Sequence, residues 1–125
     1  MKKKILLIDD VAFTIEFEKE IMQTFFQELN VEVHIDVAAT VLEALVYIES
    51  REPYDAMIID MNLPDGSGVE IAKAALMKNK ETRLCALTIY PSKYIDEGRF
   101  FNVFQAKPIV LEEFKENLKY LLRLS

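Results

Sequence analysis

The sequence predicts an α/β fold, a doubly wound five-stranded parallel sheet with helices on both faces. Two observations predict it. Five short strand-like runs alternate along the 125 residues with segments whose apolar residues recur at helical spacing. Four of these runs are almost continuously apolar, as strands buried on both faces are, whereas the remaining one alternates apolar and polar residues. Because parallel strands need crossover connections, which are nearly always right-handed, the predicted strand order is 2-1-3-4-5, with the alternating strand at an edge.

The N-terminal half is predicted to contain two strands and two helices. Residues 5–8 form a buried strand. Residues 11–29 form a helix, and one of its faces carries apolar side chains at every fourth position, namely Phe13, Phe17, Ile21 and Phe25. Residues 31–37 have the alternation of an edge strand with one solvated face, which makes His34 a surface residue and not a metal ligand. The second helix starts at a capping box that begins with Thr40.

The C-terminal half continues the alternation. The strand at residues 56–59 is followed by a Pro-x-Gly-x-Gly loop, which leads into a third helix that ends among residues 78–80. Strands at residues 84–87 and 103–106 flank residues 89–98, whose pattern is long enough only for a truncated fourth helix. A final amphipathic helix follows the last strand. This succession is that of the flavodoxin-like (βα)5 folds.

Composition and charge exclude several classes of protein. A chain of 125 residues forms one domain, and none of its apolar runs is long enough to span a membrane. The net charge of −6 argues against unaided binding to nucleic acid or to an anionic membrane. The single cysteine, Cys85, lies in an apolar run and has no partner for an internal disulfide, which indicates a reducing, cytoplasmic setting. The expected partners are proteins or small phosphorylated donors.

Polar side chains stand at the C-terminal ends of four predicted strands. Asp9 and Asp10 follow the first strand, Asp60 the third, Thr88 the fourth and Lys107 the fifth. The C-terminal ends of parallel strands lie along one edge of the sheet, where ligands bind. The sequence therefore predicts that three carboxylates, a hydroxyl and an ammonium converge on one cleft.

The predicted cleft suits a divalent cation and a phosphoryl group. Neighbouring carboxylates would hold protons unless a cation offset their charge, and Mg²⁺ prefers oxygen ligands. We expect Asp10 and Asp60 to bind the cation directly and Asp9 to bind it through water. A phosphoryl group on Asp60 would be neutralised by the metal, by Lys107 and by Thr88. This inventory predicts phosphoryl transfer to a carboxylate.

These residues resemble the receiver domains of bacterial two-component response regulators over the whole chain. The matching motifs are Asp9-Asp10, Asp60, Leu63-Pro64 with Gly68, Thr88 and Lys107-Pro108. The resemblance implies that Asp60 accepts a phosphoryl group from a phosphohistidine on a sensor histidine kinase or a histidine phosphotransfer protein. It also implies Mg²⁺ held by Asp10, Asp60 and the backbone carbonyl of Asn62, and a cis peptide before Pro108. Residues 1–125 are expected to be one receiver domain without an effector domain, and not a dedicated enzyme.

The resemblance further implies how the signal leaves the domain. In the family, Thr88 moves toward the phosphoryl group and an aromatic residue on the fifth strand, here Phe104, rotates inward. The movement remodels the face formed by the fourth helix, fifth strand and fifth helix, where a downstream protein docks. An ordinary core aromatic is an equally good interpretation of Phe104. Whether phosphorylation drives homodimerisation stays open.

Three features depart from the family pattern. Ile89 follows Thr88 where receivers usually carry a small residue, which predicts a partly covered cleft with slow phosphoryl exchange. The stretch between Thr88 and Lys107 is shorter than usual, which predicts a specialised output surface that includes Tyr94, Phe100 and Phe101. Val11 stands where many relatives carry another acid, at little cost because two acids remain.

Three functional classes follow from these observations. The first is a receiver switched by phosphorylation at Asp60. The second, which Ile89 favours, is a phosphorylation-independent protein-interaction module on the same fold. The third is an aspartate-nucleophile phosphatase, but that chemistry needs an acid two residues after the nucleophile and the chain has Asn62 there. Loss of Mg²⁺ binding would favour the second class over the first.

Overall fold

The computed structural model describes residues 2–89 and 98–124. In chain order the elements are β1 (Lys2–Ile8), α1 (Ala12–Glu28), β2 (Glu32–Ala38), α2 (Val41–Ser50), β3 (Ala56–Asp60), β4 (Asn62–Leu63), β5 (Gly66–Ser67), α3 (Gly68–Lys78), β6 (Arg83–Thr88), β7 (Val103–Ala106) and α4 (Leu111–Leu121). Five strands form a parallel sheet in the order β2-β1-β3-β6-β7. The other two pair as a short antiparallel hairpin. The predicted order 2-1-3-4-5 is confirmed, since only the hairpin changes the numbering.

Two helical layers cover the two faces of the sheet. Alternate residues of the central strands point to opposite faces, so Leu6 and Ile8 pack under α2 and α3, whereas Ile5 and Leu7 pack under α1 and α4. The edge position of β2 is as predicted, and His34 on this strand is exposed, with Nε2 2.8 Å from Asp36 Oδ1. Cys85 is buried in the central strand β6. The doubly wound architecture therefore places all five strand ends on one edge.

The sequence predicted one apolar face of α1, but the residues that the helix buries are mostly different ones. Phe13 is 81% exposed and Phe17 47% exposed. The residues of α1 that are buried are Ile15, Glu18, Met22, Phe25 and Phe26. A step of four residues turns an α-helix by about 40° more than a full turn, so a stripe with that spacing winds around the helix. Its C-terminal end at Phe25 reaches the core, whereas its N-terminal end at Phe13 faces solvent, and an acid takes a core position.

Helix starts and the last loop agree with the sequence. The hydroxyl of Thr40 accepts a hydrogen bond of 3.0 Å from the backbone N–H of Glu43, and Ser67 caps α3 in the same way. The Lys107–Pro108 peptide is cis, as expected.

Residues 90–97, which include Tyr94 and most of the predicted fourth helix, lie outside the described residues, and residues 98–100 form a single 3₁₀ turn. Within the described ranges, no helix is both long and apolar enough to cross a membrane.

Candidate functional site

Three carboxylates meet at the C-terminal edge of the sheet. Asp9 and Asp10 follow β1 and Asp60 ends β3, and each offers an oxygen atom that lies within 4.8 Å of the others. Asp9 is fully buried and Asp60 is 5% exposed, whereas Asp10 is exposed to solvent. The ammonium of Lys107 lies 3.3 Å from Asp9 Oδ2 and 3.2 Å from Asp60 Oδ2. The structure thus brings together four of the predicted site residues.

Backbone groups hold these side chains in place. Asp60 Oδ1 accepts a hydrogen bond of 2.9 Å from the N–H of Asn62, and Asp9 Oδ1 accepts one of the same length from the N–H of Val11. The N–H of Lys107 donates to the carbonyl of Thr88 at 3.0 Å, which ties the end of β7 to the end of β6. Asp9 and Asp60 therefore each keep one oxygen bound to the main chain and present the other to Lys107.

The electrostatics of the site favour an added cation. Burial raises the pKa of Asp60, and the neighbouring Asp9 adds to this, whereas the N–H of Asn62 and the ammonium of Lys107 act against it. For Lys107, burial lowers the pKa, but the charges of Asp60 and Asp9 outweigh burial and raise it overall. With all three carboxylates ionised, the single ammonium leaves two negative charges uncompensated. A divalent cation would supply the missing positive charge.

The donor set fits Mg²⁺. The cluster offers carboxylate oxygens only, from one exposed and two buried residues, and its open side at Asp10 faces solvent. Mg²⁺ takes oxygen ligands at about 2.0–2.1 Å, keeps several waters and is commonly held by one or two carboxylates. The backbone carbonyl of Asn62, which the sequence also nominated, belongs to the hairpin directly after Asp60. Its part in binding the cation stays a prediction.

The two predicted switch residues lie on neighbouring strands. Thr88 ends β6 beside Ala106 of β7 and is 5% exposed. Phe104 is partly buried in the layer of α2 and α3, and its ring meets Phe101 edge-on at 5.5 Å between centroids. Ile89, directly after Thr88, is 57% exposed. The structure therefore places Thr88 at the strand end that borders the site and Phe104 two residues before the end of β7, and their movement stays a prediction.

Asp65 and Gly68 are two residues of this region whose contacts sequence reasoning missed. Asp65 accepts hydrogen bonds from the N–H groups of Val41 and Leu42 at 2.8 and 3.1 Å, so the hairpin after Asp60 is bound to the N-terminus of α2. The first of these bonds lowers the pKa of Asp65 most. A turn aspartate was visible in the sequence, but its partners lie more than twenty residues away.

Gly68 fits the site because it has no side chain. A Cβ atom there would lie 2.6 Å from Ile59 Cγ2, 2.8 Å from Met61 Sδ and 3.1 Å from the carbonyl oxygen of Asp60. We expect Gly68→Ala to destabilise the protein by about 1–3 kcal/mol in urea unfolding, because the strand end must shift. Gly98→Ala is the matched control, since among the residues that the structure describes its Cβ would meet only Phe104, at 3.8 Å. Equal stability of the two variants would contradict the prediction.

An apolar rim lies beside the carboxylates. We use this name for the exposed or half-buried side chains of Phe13, Phe17, Ile21, Pro108, Ile109 and Leu111. Two adjoining grooves run along it: one of about 300 Å³ between α1 and α4, and one of about 170 Å³ between α1 and residues 107–109, which Lys107 lines. Large exposed apolar patches commonly mark binding surfaces. The spacing of Phe13 and Phe17 was visible in the sequence, but was interpreted as a buried face.

Comparisons with known proteins give one consistent result. The model of the response regulator receiver domain family matches residues 5–118. Sporulation initiation phosphotransferase F of Bacillus subtilis (strain 168) is 29% identical over 99% of this chain and 97% of its own length. Response regulator protein PilR of Pseudomonas aeruginosa is 32% identical over 60% of this chain, which spans only 18% of PilR. Among solved structures, the response regulator protein TrrA from Thermotoga maritima, in complex with Mg²⁺ and BeF, superposes with a TM-score of 0.80 at 34% identity, over 96% of this chain and 99% of that one.

Proposed function

Because the chain belongs to the response regulator receiver domain family, we propose that it is a signalling receiver switched by phosphorylation of Asp60. Receiver domains are modules of two-component systems and generally not dedicated enzymes. The observation that carries the proposal is the position of the Lys107 ammonium, 3.2 Å from Asp60 and 3.3 Å from Asp9, within a cluster of three carboxylates. The phosphorylation-independent module remains the alternative, and cation binding at this cluster would count against it.

The geometry supports transfer of a phosphoryl group to Asp60. A carboxylate oxygen of Asp60 attacks the phosphorus of a phosphohistidine, a P–O bond forms, the P–N bond breaks, and the imidazole leaves and takes up a proton. Lys107 and Thr88 stabilise the charge on the phosphoryl oxygens. Mg²⁺, held by Asp10, Asp60 and the Asn62 carbonyl, with Asp9 acting through water, would neutralise charge on the same oxygens. The TrrA structure, solved in complex with Mg²⁺ and BeF, supports a part for Mg²⁺ in this chemistry.

The experiment that tests the proposal is intact-mass analysis after incubation with Mg²⁺ and acetyl phosphate. We expect one phosphoryl adduct on the native protein and none on Asp60→Asn, and we expect saturable beryllofluoride binding only with Asp60 present. An adduct that survives in Asp60→Asn would place the acceptor elsewhere. No adduct and no beryllofluoride binding would favour the phosphorylation-independent module.

The apolar rim supports a protein as the physiological donor, either a sensor histidine kinase or a histidine phosphotransfer protein in the cytoplasm. A small donor has no need of Phe13 and Phe17, which cost solubility while exposed. The rim adjoins Lys107, so a protein docked on it would bring its phosphohistidine to Asp60. Burying Phe13, which is 81% exposed, would contribute roughly 1.5–3 kcal/mol to the encounter, and burying Phe17, which is 47% exposed, would contribute less.

We expect the double variant Phe13→Ala, Phe17→Ala to accept the phosphoryl group from a protein donor at least tenfold more slowly than the native protein. The donor is first identified by testing the histidine kinases of the source genome against the native protein. Labelling by acetyl phosphate should remain at the native rate, because the carboxylates and Lys107 are untouched. Met77→Ala on α3 is the control, since Met77 is an exposed apolar residue that lines neither groove. Equal loss with both donors would show that the double variant disturbs the site itself.

A further inference from the structure

Glu18 is a buried acid that the phosphoryl-acceptor chemistry does not use. It lies on the buried face of α1, and its side chain is completely inaccessible to solvent. Neither carboxyl oxygen has a hydrogen-bond partner among residues 2–89 and 98–124. An unsatisfied buried polar group costs on the order of 1–3 kcal/mol, and apolar residues such as Ile15 and Met22 fill the neighbouring positions of the same face. Stability therefore does not explain an acid at this position.

The charged groups that act on Glu18 belong to the carboxylate site at the C-terminal edge of the sheet. They come from three strand ends, namely Asp9 after β1, Asp60 of β3 and Lys107 after β7. From β6 the buried thiol of Cys85 also interacts with Glu18, and α4 contributes the apolar side chains of Phe114 and Leu118 to this layer. Glu18 thus lies within electrostatic reach of the carboxylate cluster, although it has no hydrogen bond to it.

The surroundings keep Glu18 protonated while no cation is bound. Burial raises its pKa to about 8, the negative charge of Asp9 adds to the rise, and Lys107 opposes it. A divalent cation bound to the aspartates would lower the pKa of Glu18, because its two positive charges would offset the negative charges that disfavour the ionised form of Glu18. The same cation would draw Asp9 and Asp60 away from the ammonium they now contact. A partly buried ammonium needs a counter-charge, and Glu18 is a further acid within electrostatic reach of Lys107.

We propose that Glu18 is a positioning residue that releases its proton to solvent when a divalent cation binds at the cluster of Asp9, Asp10 and Asp60, and then serves as the buried counter-charge of Lys107. The inference rests on the proposed function, because it requires the cation. Its consequence is that cation affinity depends on pH through a residue that is not a ligand. Lys107 stays charged and available to the phosphoryl oxygens.

Calorimetric titration with Mg²⁺ at pH 7, in two buffers of unequal ionisation enthalpy, tests the inference by counting the protons released on binding. With a pKa of about 8, Glu18 is about 90% protonated at pH 7, so the native protein should release up to about 0.9 proton per Mg²⁺. Glu18→Gln should bind Mg²⁺ with most of this release abolished. Between pH 6 and 8 the native affinity should rise several-fold more than that of Glu18→Gln.

Glu16→Gln is the matched control, because Glu16 is exposed on the same helix, and it should release protons like the native protein. If Glu18→Gln does not fold, Glu18→Met serves as the variant. Equal proton release from native protein and variant, with Mg²⁺ bound by both, overturns the inference and leaves the proposed function standing. Absence of Mg²⁺ binding to the native protein overturns both the cation site of the proposed function and the inference.

Discussion

Replacing Lys107 with methionine should slow phosphorylation of Asp60 by about 100- to 1,000-fold, the usual cost of removing one preorganised donor from a reacting oxyanion. The folded state should lose on the order of 3 kcal/mol at pH 7, because the buried carboxylates of Asp9 and Asp60 would face each other without the ammonium that now lies between them. Acid should restore part of this stability by protonating Asp60, whose pKa burial raises.

Three measurements on Lys107→Met separate the site effect from general damage. They are acetyl phosphate labelling, urea unfolding at pH 5 and 7, and Mg²⁺ affinity, which should increase because a competing positive charge is gone. Lys4→Met is the control, since Lys4 pairs with Glu52 at 2.7 Å at the surface, where solvent screens the pair, so its loss should leave both stability and labelling close to native. Weaker Mg²⁺ binding by Lys107→Met would contradict the electrostatic account.

Replacing Glu18 with leucine should stabilise the protein, and the gain should grow with pH. The carboxyl group of Glu18 has a pKa of about 8 in the folded protein and 4.5 in the unfolded chain. Its stabilising contribution to the folded state is therefore fully present below pH 4.5. As pH rises from 4.5 to 8, the unfolded chain releases the proton that the folded protein keeps, and stability falls by about 1.4 kcal/mol per pH unit. Above pH 8 both states are ionised and this contribution is lost. The full effect is on the order of 3–5 kcal/mol.

Urea unfolding of native protein and Glu18→Leu at pH 5, 6, 7 and 8 checks this prediction without added Mg²⁺. The difference in free energy of unfolding should be smallest at pH 5 and should approach the full effect near pH 8. Glu16→Leu, at an exposed position of the same helix, should run parallel to the native protein. A pH-independent difference between native protein and Glu18→Leu would mean that Glu18 does not titrate in this range.

The sequence by itself determined the sheet and the members of the site. The strand order followed from which runs were continuously apolar and which alternated. A strand buried on both faces is apolar throughout, whereas a strand with one solvated face alternates apolar and polar residues. The convergence of Asp9, Asp60 and Lys107 followed from topology alone, since parallel strands bring their C-terminal ends to one edge however far apart they lie in the chain. Lys107 and Asp9, which are 98 residues apart, were predicted in this way.

Tertiary structure alone decided the orientation of α1 and everything that depends on it. The four-residue stripe of phenylalanines winds around the helix, so the sequence could not say which part of it would meet the sheet. Packing exposed Phe13 and Phe17 as a rim and buried Glu18 within electrostatic reach of Lys107. The bond from Val41 to Asp65 was likewise invisible, because a cap supplied by a distant loop leaves no local pattern. The spacing of apolar residues shows that a helix has a buried face. Which side of α1 packs against the sheet depends on the whole assembled core, and in this protein that packing determined the surroundings of the site.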